Sequence, residues 1–237
     1  MNLVLQAAVG VPGGFDFFNY IQGTWTVPGY PTYDNPFPYL QTVYLFNSLE
    51  AFNSSGIAII QPVQQWGNSA AGMCPNTAGF CMASWWVSPG ITSYTPLVGV
   101  NPGDQIEGSI YLYSFSPPTS ATYQVVWDDV TQGLWWWVDF GFNPSTWTFN
   151  TAQPAVLEAY NLYNCQNLPT GDWTQFSNIE MFEPDTVWDT YLEVGTDPTT
   201  WTRDNPGSGT TPLCGYGVGD WDFGSPLNNT STLYYVN

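Results

Sequence analysis

The chain has 237 residues and sets 19 carboxylates against a single cation, Arg203, with no lysine and no histidine, for a formal charge of −18 at neutral pH. Without His there is no Ser-His or Cys-His nucleophile, without Lys there is no Schiff base, and the zinc sets that use His are out of reach. Nucleic acids and anionic membrane surfaces are disfavoured partners because binding them takes a basic face, so any chemistry here falls to carboxylates, amides, hydroxyls or a hard cation.

Residues 1–12 are mildly apolar but lack a charged leader region. They do not read as an intact signal peptide, and the expectation is a mature chain or one whose leader is missing. Residues 1–19 read as an N-terminal extension. Residues 20–27 alternate apolar and polar up to Pro28, and 28–38 are a Pro/Gly/Tyr/Asn-rich loop. Strands are then predicted over 41–46, 56–63, 83–87, 104–113 and 122–127. A turn at 131–133 leads into 134–138, followed by strands at 155–161, 176–182 and 186–191. Residues 196–226 are Gly/Pro/Thr/Asp-rich and read as long surface loops. Helical periodicity is absent and no apolar run reaches the length of a membrane span. The prediction is one all-β domain over 1–237, a lectin-like antiparallel β-sandwich with long surface loops. With aromatics at 18% of the chain, the core has ample apolar area.

The charge has a second implication. Below the carboxylate range, about pH 4, the acids are neutral and net charge falls to about +2, whereas a Lys-rich chain would repel itself. An acidic working environment is expected; an acidic secreted protein with no special pH is the plainer alternative. Cys74 and Cys81 are spaced for a small disulfide loop, which would leave Cys165 to join Cys214; the other two connectivities stay open. With glycosylation patterns at Asn53, Asn228 and Asn229, these cysteines point to an extracellular, oxidising setting.

Several segments resemble, in order, those of the glutamic peptidases, the eqolisin family. Gly23-Thr-Trp-Thr-Val-Pro28 is similar to the family's first Thr-x-x-Val-Pro strand. Ala58-Ile-Ile-Gln-Pro-Val-Gln-Gln-Trp66 resembles its Ala-Ile-Leu-Gln…Trp segment, and Ala83-Ser-Trp-Trp86 its Ala-Trp-Tyr-Glu-Trp strand. Val100-Asn-Pro-Gly-Asp-Gln-Ile106 and Trp127-Asp-Asp-Val-Thr-Gln-Gly133 resemble its Gly-Asp-x-Ile turn and its Asn-Leu-Thr-Thr-Gly hairpin, and 155–161 is the segment similar to the strand of the catalytic Glu. The resemblance covers most of residues 20–182. It implies a sandwich with a Gln/Glu pair in a concave groove, acid endopeptidase activity on polypeptides, and no cofactor. Gln61 and Glu158 take the catalytic positions, with Tyr44, Trp66 and Trp86 as substrate contacts and no metal ligand. A secreted monomer is expected.

The chain departs from the family in three places. Its Trp-Val-Gly-Ile-Asp strand becomes Tyr44-Leu-Phe-Asn-Ser48, with Glu50 the carboxylate that could stand in for the Asp. The carboxylate four residues after the catalytic Gln is Gln65, and the Ala-Glu-Trp beginning of the Glu strand is missing from 155–161.

The residues carry the same chemistry without the family name. A Glu carboxylate can take a proton from water, and a Gln amide can donate to the oxyanion of a tetrahedral intermediate. Glu158, between Leu157 and Ala159, lies on the sheet face opposite to both, and Glu180 is its rival. Trp85 and Trp86 split between core and groove. Trp135 and Trp137 share a face, for which core packing is expected, and Asp128-Asp129 read as turn caps. The acidic C-terminal third reads as solvated surface rather than a Ca²⁺ site. Three other classes compete with the peptidase: a carbohydrate-binding sandwich, an extracellular structural protein and a carboxylate-pair glycosidase.

Overall fold

The computed structural model describes residues 3–10, 17–33, 41–75, 79–184, 191–193, 201–204, 216–219 and 230–235. Seventeen strands occur among them. The first nine are β1 (Leu3–Gly10), β2 (Tyr20–Thr26), β3 (Thr42–Asn53), β4 (Gly56–Ser69), β5 (Gly72–Met73), β6 (Phe80–Ser88), β7 (Ile91–Tyr94), β8 (Val98–Val100) and β9 (Gln105–Ser116). The others are β10 (Ser120–Asp129), β11 (Leu134–Phe142), β12 (Phe149–Tyr160), β13 (Trp173–Pro184), β14 (Tyr191–Glu193), β15 (Trp201–Asp204), β16 (Tyr216–Gly219) and β17 (Ser231–Tyr235).

The strands form two antiparallel sheets. The first runs β15-β1-β12-β3-β4-β6-β7, with β5 beside β4 and β8 beside β6; the second runs β11-β10-β9-β2-β13-β17-β16, with β14 beside β13. The predicted antiparallel β-sandwich is therefore the observed fold. Residues 3–10, placed in an N-terminal extension from sequence, form strand β1 against β12. Most of 196–226 and residues 186–190 lie outside the described residues. No helix among the described residues is long and apolar enough to cross a membrane.

Alternation builds the core. On β10, Ala121, Tyr123, Val125 and Trp127 turn inward while the residues between them do not. Tyr123, Val125 and Trp127 join Ile21, Trp25, Ile106, Ile110 and Phe176 of the same sheet and Val43, Leu45, Leu49, Ile60, Phe80 and Leu157 of the other in one core. Each large apolar side chain contributes about 1.5–3 kcal/mol by leaving water. Two hydrogen bonds cross between the layers: the Trp25 indole N–H donates to Gln64 Oε1 at 2.7 Å, and Asn47 Nδ2 donates to the Gly108 carbonyl at 2.9 Å.

Cys74 and Cys81 are joined by a disulfide. Cys165 is disulfide-bonded too, while Cys214 lies outside the described residues. One packing expectation is corrected. The β10–β11 hairpin is a sheet edge, and Trp135, Trp136 and Trp137 are 61%, 47% and 46% exposed instead of filling the core.

Candidate groove site

The first sheet has a second face, turned away from the core, and β3, β4, β6 and β12 lay it out in rows. Along β3, Val43, Leu45, Leu49 and Ala51 enter the main core, so Tyr44, Phe46, Ser48 and Glu50 point the other way. On β12, Leu157 and Ala159 are core residues, and Glu158 occupies the opposite face as its neighbours predict.

The first row is polar. The β3–β4 register runs through Phe46↔Val63 and Leu49↔Ile60, which sets Ser48 opposite Gln61. Ser48 pairs with Gln153 on β12, and Gln61 pairs with Trp85 on β6. The Ser48 hydroxyl donates to Gln153 Oε1 at 2.6 Å, and Gln153 Nε2 donates to Gln6 Oε1 at 3.0 Å. These side chains are recessed: Ser48 is 0%, Gln153 3% and Gln61 9% exposed. Gln61 Oε1 has no hydrogen-bond partner among the described residues.

The second row is apolar. Val156, Phe46, Val63 and Ala83 lie side by side across the four strands and form, with Trp85, a small hydrophobic cluster of their own. The third row is Glu158, Tyr44, Gln65 and Cys81. Tyr160 donates to Glu158 Oε2 at 2.8 Å, and the Tyr44 ring stands edge-on to Trp85 and Tyr160. Burial pushes the Glu158 carboxyl up, and the Tyr160 hydrogen bond only partly offsets this. Tyr44 is raised to about 12 by burial and by the Glu158 charge, against a hydrogen bond with Ser69. Gln65 Nε2 is committed to the carbonyls of Gly67 and Gly72, both at 2.9 Å.

The two residues assigned catalytic positions from sequence thus share a face but not a row. Glu158 lies two strands from Gln61 and two rows along, roughly 13 Å in the strand direction at 3.3 Å per residue, with the apolar row between them. On the other side of the polar row comes Glu50, opposite Ile59 and Thr151. It is the diagonal neighbour of Gln61, where Cα atoms are about 7–8 Å apart and long side chains can meet. Tyr44 lies on this face. Trp66 and Trp86 do not: Trp66 packs against Phe80 and Tyr30, and Trp86 against Phe140 and Phe142, both on the core side. Trp85, opposite Gln61, is the tryptophan of this face. Glu180, the rival carboxylate, belongs to β13 in the other sheet, opposite Gln22.

Gln153 went unnoticed in the sequence, although a signal was present. Ala152-Gln153-Pro154 lies within β12 and shares its Ala with the Ala-Glu-Trp motif, but it lies ahead of the strand predicted from residue 155. Among the described residues, no group of three or more Cys, Asp or Glu side chains is placed to hold a metal ion.

No protein-family model matches the chain, and no curated protein matches it by sequence. Solved structures do match in shape over nearly the whole length. A crystal structure of scytalido-glutamic peptidase with a transition state analog inhibitor superposes with a TM-score of 0.60 at 13% identity, covering 99% of this chain and 98% of that one. The same peptidase with a peptide-based transition state analog gives 0.57 at 12% identity, with the same coverage. SCP-B, a member of the eqolisin family in complex with the tripeptide Ala-Ile-His, gives 0.53 at 13% identity, again covering 99% and 98%. At such identities the likeness establishes that this chain has the β-sandwich fold of the glutamic peptidases.

Proposed function

We propose that the outer face of the first sheet is a groove that binds extended polypeptide, with the Gln61 amide bonding to a backbone peptide group of the ligand. The observation that carries this is Gln61 itself. Its amide oxygen is buried and unbonded among the described residues, and such a group costs about 1–3 kcal/mol unless something pairs with it. A peptide group, with one donor and one acceptor, is the complement of a primary amide. The solved structures of this fold named above hold a peptide-based analog and a tripeptide, which favours the same ligand class. The disulfides fit an oxidising, extracellular setting.

The test is calorimetric titration with a peptide-based transition-state analog and with a set of denatured-protein peptides. Wild type is expected to bind, and Gln61→Ala to bind about tenfold more weakly, the loss of one buried hydrogen bond. Equal affinity in the two proteins would remove Gln61 from the site. Binding of oligosaccharides in place of peptides would move the assignment to a carbohydrate-binding sandwich.

A second reading, acid endopeptidase activity with Glu158 activating water and Gln61 stabilising the oxyanion, is favoured by one observation. Burial raises the Glu158 carboxyl, as suits proton exchange in mild acid. Its test is cleavage of denatured casein at acidic pH by wild type, lost in both Glu158→Gln and Gln61→Ala.

A further inference from the structure

We infer that the polypeptide groove proposed above does not hydrolyse what it holds, because Gln153 occupies the place from which a carboxylate would have to act with Gln61. The inference rests on that peptide-binding reading and adds the reason for silence.

The geometry follows from the rows. For an amide donor and a general base to serve one peptide bond, both must reach the same carbonyl carbon: the donor at about 3 Å from the oxyanion, the base at about 3 Å from the attacking water. Strand-borne side chains meet that demand when they flank a common neighbour on one row. Gln61 has such a counterpart across Ser48, and it is Gln153. Ser48 bonds to Gln153, leaving nothing in the row between these two amides that takes a proton at ordinary acidity. An amide oxygen accepts hydrogen bonds but does not accept the proton of a water molecule as it attacks.

Two carboxylates of this face with described side chains, Glu158 and Glu50, stand off the row. Glu158 lies beyond the apolar row of Val156, Phe46 and Val63, where a water shared with Gln61 would have to sit among hydrocarbon. Glu50 is nearer, one row away on the opposite side, so a direct test has to include it. The Ala152-Gln153-Pro154 segment of β12 agrees with the register: laid on the family's Ala-Glu-Trp motif, it puts an amide in the place of that motif's acid.

The converse is a gain of activity from one substitution. In Gln153→Glu the new carboxylate keeps an acceptor for the Ser48 hydroxyl. It gives up the donation to Gln6, whose amide can turn to present its NH2 instead. With a peptide in the groove, the introduced carboxylate takes a proton from water as the water oxygen bonds to the carbonyl carbon. The Gln61 NH2 donates to the oxygen that gains the negative charge. When the C–N bond breaks, the proton held by the carboxyl passes to the leaving amine, and the carboxylate is restored. Water is the only co-reactant consumed.

The experiment compares full-length wild type, Gln153→Glu, Gln153→Glu with Gln61→Ala, Glu50→Gln and Glu158→Gln on a quenched peptide library between about pH 3 and 6, around the ordinary carboxyl range. Peptide affinity of each is followed by calorimetry. The expected result is binding without cleavage by wild type, a rise of at least about 100-fold in Gln153→Glu, the low end for a general base, and loss of that gain in the double variant. Cleavage by wild type overturns the inference, and loss of that cleavage in Glu50→Gln or Glu158→Gln then names the true base. Peptide binding retained in Gln153→Glu with no gain in cleavage overturns it too and leaves the binding reading standing. No peptide binding by wild type and Gln153→Glu alike overturns both.

Discussion

Gly108→Val is expected to destabilise the protein by about 3 kcal/mol or more, the upper end for overpacking a well-filled core. On the neighbouring strand, Gly23→Ala should cost less than about 1 kcal/mol, the entropic gain over glycine offsetting slight crowding. The two glycines face each other across the β2–β9 pairing and point at the same part of the opposite sheet. A Cβ built on Gly108 would lie 2.7 Å from Asn47 Oδ1, 2.8 Å from the Pro62 ring and 2.9 Å from the Trp25 indole. At Gly23 the nearest atoms are 3.6–3.8 Å away, ordinary contact distance. None of the three neighbours of Gly108 can yield easily. Pro62 is a fixed ring in the ladder of β4, Trp25 is held by its bond to Gln64, and Asn47 is anchored on the Gly108 carbonyl. In a chain of this size 3 kcal/mol is roughly 6–12 °C in melting temperature.

The same contact reaches the proposed peptide groove. Asn47 precedes Ser48 and Pro62 follows Gln61, so pushing the second sheet away at Gly108 moves the backs of both groove residues. Peptide affinity should therefore fall along with stability. Ser109→Ala, on the outward side of the same strand, should leave both unchanged. Urea unfolding and peptide titration on the four proteins check this; a Gly108→Val protein as stable as Gly23→Ala would mean that the sheets are not seated on this glycine.

The sandwich was legible because its strands obey the period of two wherever one face is wet. Residues 104–113 and the 122–127/134–138 hairpin became β9, β10 and β11, each longer than predicted but in place. Prediction fell short where a strand is buried on both faces or broken by a bulge. The register between β12 and β3 slips between Gln153 and Val156, and Pro154, which cannot donate to a ladder, sits at that irregularity. The proline made the strand seem to begin at residue 155, and Gln153 was left outside it.

Parity would have done better for the aromatic residues. Trp66 is an odd number of places from Gln61 on one strand and so must face the other way. Choosing between Trp85 and Trp86 needs the β4–β6 register, which no local pattern encodes. Trp135 and Trp137 looked like core because tryptophan usually is, yet whether a hairpin lies at a sheet edge depends on strand order.

Asp129→Asn is expected to stabilise the protein by about 1.5–3 kcal/mol at pH 7, the worth of a hydrogen bond to a charged group, and to change little near pH 3. Asp104 and Asp129 are both buried, where the Asn101 turn meets the tip of the β10–β11 hairpin. Burial works to raise Asp104, but hydrogen bonds from the Asn101 backbone, Gln132, Asp129 and the Asn101 side chain outweigh it and hold its carboxyl low. Asn101 N donates to Asp104 Oδ2 at 2.7 Å and Gln132 Nε2 at 2.5 Å. Asp129 goes the other way. Burial and the Asp104 charge raise it, although the Gln132 backbone N–H donates to its Oδ1 at 3.0 Å. In acid, then, Asp129 is a neutral acid facing the Asp104 carboxylate.

The signs follow from this arrangement. A raised carboxyl stabilises the fold at low pH and loses that contribution as pH rises through its folded value; Asp129, Glu107 and Glu158 are all of this kind. Asp104 acts oppositely, stabilising above the ordinary carboxyl range and losing its contribution only as pH falls through its depressed folded value. Between about pH 4 and neutrality three contributions disappear and one persists, so unfolding free energy should decline toward pH 7. Asparagine at position 129 keeps the acceptor for Gln132 and supplies a permanent donor for Asp104, which removes the penalty of two facing charges. Asp104→Asn should do the reverse at pH 7, since it discharges the acceptor that Asn101 and Gln132 converge on. Urea midpoints for the three proteins at the two pH values decide the matter. Shifts of the same sign for both substitutions at pH 7 would mean that the two aspartates do not act as a pair, whereas opposite signs would tie the stability of this chain in acid to one proton held beside the hairpin of Trp135, Trp136 and Trp137.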